Sequence, residues 1–126
     1  MKLKKALSIQ ERCLNKNHSE IAFTLRDLGF AYSVSGDHEQ ALVILKKALS
    51  IQKQFYGENH PEIAFTLKNL GYVYYEQQDY KHAIMVLEQA VDIQKQFYRE
   101  NHPEVTITTK YLTNVQNVNA KTLISN

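Results

Sequence analysis

Cysteine occurs once in this chain, at Cys13, so no internal disulfide is available to hold the fold together. A lone thiol fits a reducing compartment, and the cytoplasm is the expected location. Glycine occurs four times, always as an isolated residue, which leaves no glycine-rich loop to cradle phosphates. No apolar run approaches the roughly 20 residues needed to span a bilayer. The N-terminal MKLKKALSIQERCL carries the lysines of a secretory leader, but Ser8, Gln10, Glu11 and Arg12 interrupt its apolar run too early. An excess of one charge is missing as well. The 15 basic and 13 acidic side chains leave a formal charge of +2, too little to demand nucleic acid or an anionic membrane as partner. What is present is 126 residues, 44% hydrophobic and 22% charged, the composition of one compact domain rather than of a disordered tail.

The chain is built on self-similarity. The stretch Lys47 to Glu88, KALSIQKQFYGENHPEIAFTLKNLGYVYYEQQDYKHAIMVLE, is flanked on both sides by imperfect copies of itself. A shift of 42 residues places Lys5 to Gln10 on Lys47 to Gln52, and Ile21 to Leu25 on Ile63 to Leu67. In the third register Ile93, Gln94, Asn101, His102, Glu104, Thr108 and Leu112 repeat Ile51, Gln52, Asn59, His60, Glu62, Thr66 and Leu70. A fixed period in this range is the signature of a stacked repeat array.

Within each period the apolar spacing is helical and no alternating strand pattern occurs. The segment Met1 to Leu14, with Leu3, Ala6, Leu7 and Ile9 on one face, predicts a helix that lacks its hairpin partner. A second helix is expected from Ser19 to about Ser35, with Ile21, Leu25, Leu28, Gly29 and Tyr32 on one stripe, and its copy from about Pro61 to Gln77. Pro61 suits the first helical position, with Asn59 or His60 at the cap. Gly36 suits the left-handed turn that ends the first of these helices, and Gln78 replaces it in the copy, where strain is expected. Asp37 with Gln40 resembles a capping box. The helices expected at about His38 to Tyr56 and Tyr80 to Tyr98 are apolar over a wider arc, with Ala41, Leu42, Ile44, Leu45, Ala48, Leu49 and Ile51, as befits elements covered on two sides. Gly29 and Gly71 on the core stripe are expected to let the partner helix approach at Ala41 and Ala83.

The fold class this predicts is all-α: a right-handed solenoid of stacked antiparallel helical hairpins, about six helices in all. The array is expected over 1–118, with a partial repeat at 1–14, repeats at about 19–56 and 61–98, and a decaying copy at 103–118. Thr113 and Gln116 replace the glycine and tyrosine of the earlier copies, and a frayed tail is expected over 119–126. Neither end carries a recognisable polar cap, so end-to-end association into a homo-oligomer, or membership of a longer array, is an expectation too.

Leu25, Leu28, Gly29 and Tyr32 followed by Ala41, Leu45 and Ala48 resemble the tetratricopeptide pattern, with leucine in the tryptophan place, and Leu67, Leu70, Gly71, Tyr74, Ala83, Leu87 and Ala90 repeat it. The longer period and the stretch YGENHPEIAFTLKNLGYVYYEQQDY are similar to the kinesin-light-chain type of this repeat, with its Asp-His-Pro loop and Thr-Leu-Asn-Asn-Leu-Ala helix. In this chain Asn59 stands for the family's aspartate, Arg26 and Lys68 for its first asparagine, Asp27 for its second, and Ser19 for the proline. The resemblance implies a protein-binding scaffold whose first helices line a concave ligand face.

Several features invite catalytic readings that their spacing does not sustain. His18, His60 and His102 recur once per repeat, without the clustered co-ligands of a zinc site, and read as loop caps. Cys13 with His18 has no third group to orient a base, and a buried structural thiol is the simpler reading. Glu20, Glu62 and Glu104 sit where a helix dipole favours carboxylates. No enzyme, no cofactor, no metal and no small-molecule substrate is expected.

One pattern departs from plain solenoid packing. Phe23 and Phe30 in one copy, and Phe65 and Tyr72 in the next, share the face opposite the core stripe, because seven residues make two helical turns. Arg26, Lys68 and Lys110 recur there at one register, and Asn69, Tyr75 and Tyr111 add hydrogen-bonding groups. These ten residues predict a groove with an aromatic floor and a ladder of cations for an extended or helical peptide, acidic with apolar or aromatic anchors. The competing reading is that the aromatics pack against neighbouring hairpins and the cations are merely solvated. Nucleic acid ranks last, because three cations supply only a modest electrostatic term and Asp27 and Glu76 oppose it.

Overall fold

The computed structural model describes residues 18–125; the helix expected over 1–14, with Cys13, lies outside them. The described residues form five helices and no strand: α1 (His18–Val34), α2 (His38–Tyr56), α3 (Pro61–Glu76), α4 (Tyr80–Phe97) and α5 (Pro103–Ser125). None is long and apolar enough to cross a membrane. The chain divides into two compact units after Glu58, the first holding α1 and α2, the second α3, α4 and α5.

In the first unit a connection of residues 35–37 turns the chain back on itself, which makes α1 and α2 antiparallel neighbours. Ile21, Leu25 and Leu28 of α1 form a buried cluster with Ile44 and Ala48 of α2, and Tyr32 and Ile51 pack half-buried against it. The turn follows from its residues. Gly36 adopts φ +89°, and the Gly36 and Asp37 N–H groups donate to the carbonyls of Ser33 and Tyr32, closing the helix end. The Asp37 carboxylate then accepts the Gln40 N–H at 3.3 Å to start α2. Gln78 makes the same turn at φ 64°, the only non-glycine residue with positive φ among those described.

In the second unit α4 packs against both α3 and α5. Its buried Ala83, Leu87 and Ala90 match the buried Ile63, Leu67, Leu70 and Val73 of α3, while α5 contributes Val105, Thr108 and Val115. Asp79 caps α4 through the His82 N–H, and its carboxylate lies 2.8 Å from the His82 ring, which stacks on Tyr74. The glycines of the core stripe sit against leucines rather than the expected alanines. A Cβ on Gly29 would lie 2.7 Å from Leu45 Cγ, and one on Gly71 would lie 2.7 Å from Leu87 Cγ.

Two expectations are corrected by α5. It does not end near Val118 in a frayed tail but continues to Ser125. No glycine or proline follows Pro103 to stop it, Thr122 bonds back to the Val118 carbonyl at 2.9 Å, and Asn119, Thr122 and Leu123 share a shallow concavity with residues Gln78 to Lys81. A polar face, moreover, is present on this side. Where α3 buries Ala64, Leu67, Gly71 and Tyr74, α5 exposes Thr106, Thr109, Thr113 and Gln116 at the same register. The substitutions that look like decay of the repeat give α5 a surface compatible with water.

Candidate protein-binding face

The first turn of α3 fixes where its outer face points. His60 takes an extended conformation as N-cap, its Nδ1 accepting the Glu62 N–H at 3.1 Å, and Pro61 occupies the first helical position. His102 repeats the arrangement ahead of α5, with Nδ1 accepting the Glu104 N–H at 3.1 Å and the ring stacked on Tyr98 at 4.2 Å. A ring nitrogen used in this way is committed to its helix. Among the described residues no group of three or more His, Cys, Asp or Glu side chains is placed to hold a metal ion.

From that start Phe65, Lys68, Tyr72 and Tyr75 fall on one side of α3. Phe65 is 38% and Tyr72 46% exposed. The Lys68 Nζ lies 4.9 Å from the centre of the Phe65 ring, where the ring's quadrupole attracts a cation. In the first unit Phe23 and Arg26 repeat this pairing, with the guanidinium carbon 4.4 Å from the ring centre, and Phe30 lies exposed two turns beyond Phe23. One register of the repeat thus carries a ring and a cation, three residues apart, in both units.

Two of the three cations of the expected ladder are not solvent-facing. Arg26 is only 9% exposed; its guanidinium lies over the Phe23 ring, with Nη2 3.9 Å from Asp27 Oδ1. Lys68 is half-buried and its Nζ lies 3.8 Å from Glu104 Oε2 on α5. Of the three, only Lys110 is exposed in the manner expected. Arg26 belongs to the first unit, Lys68 and Lys110 to the second.

The seam between α3 and α5 explains why Lys68 meets Glu104. Lys68 faces Glu104 and Tyr75 faces Tyr111, whose ring centres are 6.0 Å apart. Both pairs are separated by 36 residues, although equivalent residues of the repeat are separated by 42. The difference of six residues displaces equivalent positions by about 9 Å along parallel helices at 1.5 Å per residue. Lys110 therefore lies beyond Lys68 along the face rather than beside it.

Tyr75 also packs against Tyr80, at 5.6 Å between ring centres. Burial pushes the Tyr111 phenol well above its usual range, and the Glu76 carboxylate adds to this, followed by Tyr72 and Tyr75. The Tyr111 hydroxyl and Asn69 Nδ2 are buried without a hydrogen-bond partner. A buried polar group left in that state costs about 1–3 kcal/mol. The residues the sequence pattern misses here are Glu104, read there only as a helix-dipole carboxylate, and Ile107, which is 55% exposed at the register of Phe65.

Known proteins resemble this chain in two ways. The family model described as tetratricopeptide repeat matches residues 1–54 and 29–96. Two crystal structures of nearly identical TPR-like repeats, from a protein assigned as a kinesin light chain in Podosopora anserina, match with a TM-score of 0.83 and 24% identity; the second is of a single-substitution variant. The alignments cover 94% of this chain and 56% of each of those, so the chain spans little more than half the length of the structures it matches. At this identity the likeness is one of fold. No curated protein matches the chain.

Proposed function

The chain belongs to the tetratricopeptide repeat family, whose repeats act as protein–protein interaction scaffolds, and from that premise we propose that the outer face of α3, and its counterpart on α1 in the other unit, bind peptide segments of a partner protein. The observation that carries this reading is the ring-and-cation pair, Phe23 with Arg26 and Phe65 with Lys68, which leaves aromatic area open to solvent beside a positive group in both units. Exposed aromatic area supplies burial on binding, and on α3 the partly exposed Lys68 orients an acidic ligand. The preferred ligand is a peptide in which carboxylates alternate with apolar or aromatic anchors. Asn69 Nδ2 and the Tyr111 hydroxyl, buried beneath this face, are closed to such a ligand. The role is one of binding, without catalysis.

The test is the affinity of acidic-aromatic peptides for the wild-type chain, Phe65→Ala and Lys68→Glu. Phe65→Ala removes an aromatic anchor and is expected to weaken binding about tenfold, in the range of a contact worth about 1–2 kcal/mol. Lys68→Glu is expected to weaken acidic peptides and spare neutral ones. Because it also sets two carboxylates against each other across the α3–α5 seam, its folding is checked by urea titration. Peptide binding that neither substitution alters would remove this face from consideration. End-to-end assembly is the less supported reading, since the α5 face that a further helix would cover is polar.

A further inference from the structure

We propose that Glu104 is a built-in stand-in for the ligand's carboxylate, and that it sets the selectivity of the α3–α5 face by occupying Lys68 when no peptide is bound. The inference rests on the peptide-binding reading of this face. Glu104 approaches from a different helix than Lys68, so the contact is a property of the seam and not a local pair along one helix. Its N···O distance of 3.8 Å is near the outer limit of an ion pair, and the side chains are 24% and 41% exposed, so a ligand can reach both. Lys68 Nζ also lies 4.9 Å from the centre of the Phe65 ring, a contact made within α3 and without Glu104. It therefore stays in place while one carboxylate is exchanged for another.

The exchange has consequences that a vacant lysine would not have. An acidic peptide gains one pair with Lys68 and loses the pair with Glu104, so its charge contributes less net affinity than it would at a lysine with no resident partner. Screening by salt weakens both pairs alike, and the salt dependence of binding is correspondingly shallow. A neutral peptide leaves the Lys68–Glu104 pair standing. Discrimination then falls on the apolar positions, Phe65, Tyr72 and Ile107, and an acidic segment without anchors is rejected.

The experiment uses a displayed library of twelve-residue peptides built from Asp, Glu, Leu, Phe, Tyr and Ser. The tightest peptide selected on the wild-type chain is compared with its amide counterpart, in which every Asp and Glu becomes Asn or Gln. Affinities are measured for wild type, Glu104→Gln, Lys68→Met, Phe65→Ala and the Lys68→Met/Glu104→Gln double variant at two salt concentrations. Glu104→Gln is expected to tighten the acidic peptide about two- to fivefold, the range of a partly exposed ion pair, to steepen its salt dependence and to leave the amide peptide unchanged. In the Lys68→Met background the Glu104→Gln gain should vanish. A Glu104→Gln variant that shifts both peptides equally, or neither, overturns the role of Glu104; if Phe65→Ala still weakens binding in that case, the face itself stands. A library that yields no binder, or binders indifferent to Phe65→Ala, overturns the face and the inference together.

Discussion

At Gly71 two costs of opposite sign meet. A glycine inside a helix is about 1 kcal/mol worse than alanine. A methyl group there, however, would lie 2.7 Å from Leu87 Cγ, a branch point and not a flexible tip, and overpacking of this kind costs about 1–3 kcal/mol. Gly71→Ala is expected to be destabilising by about 1 kcal/mol net, read as a lower urea midpoint; a raised midpoint would mean that Leu87 can swing aside. Tyr111 gives a prediction in pH. Burial raises its folded-state ionisation above the ordinary value of 10.0, with Glu76 adding to the effect. The unfolded chain thus releases this proton first. Stability from this group is fully present below about pH 10 and is lost as pH rises beyond it. Urea midpoints should fall on the alkaline side in the wild-type chain and fall less in Tyr111→Phe.

Helix ends decide the next scale. The turns after α1 and α3 have the same hydrogen bonds, but Gly36 adopts positive φ freely while Gln78 does so with a side chain that crowds the backbone. Gln78→Gly is expected to stabilise the second unit by about 1 kcal/mol, the order of the left-handed penalty, measured as a rise in melting temperature. The bounds of α1 to α4 were legible to within about a residue of their observed ends, because stripe, cap and turn residues agree there. The length of α5 was not. Its run of threonines and asparagines has little apolar period, and its last turns lie beside Gln78 to Lys81, residues distant in sequence. The candidate face was legible as a stripe of Phe65, Lys68 and Tyr72 but not as a set of contacts. Aligning the copies pairs residues 42 apart, whereas the helices pack residues 36 apart, so Lys68 was grouped with Lys110 instead of Glu104. The burial of Arg26 was hidden for a related reason: spacing gives a side chain's position on the helix and says nothing of what covers it.

For the molecule as a whole, the polar face of α5 bears on whether copies associate. Thr109 and Gln116 stand where α3 buries Leu67 and Tyr74, and they leave little apolar area for another helix to cover. Thr109→Leu combined with Gln116→Leu is expected to produce scattering mass that grows with concentration more steeply than that of the wild-type chain. A double variant indistinguishable from wild type would show that this face does not govern association. The seam between α3 and α5 has a consequence for how such a chain lengthens. Because Glu62 and Glu104 occupy the same place in successive copies, a tandem duplication of residues 61–102 would set Lys68 of the original opposite the Glu62 counterpart of the duplicate. Each new segment would arrive already carrying a partner for its parent's lysine, so growth by gene duplication needs no compensating mutation at that contact.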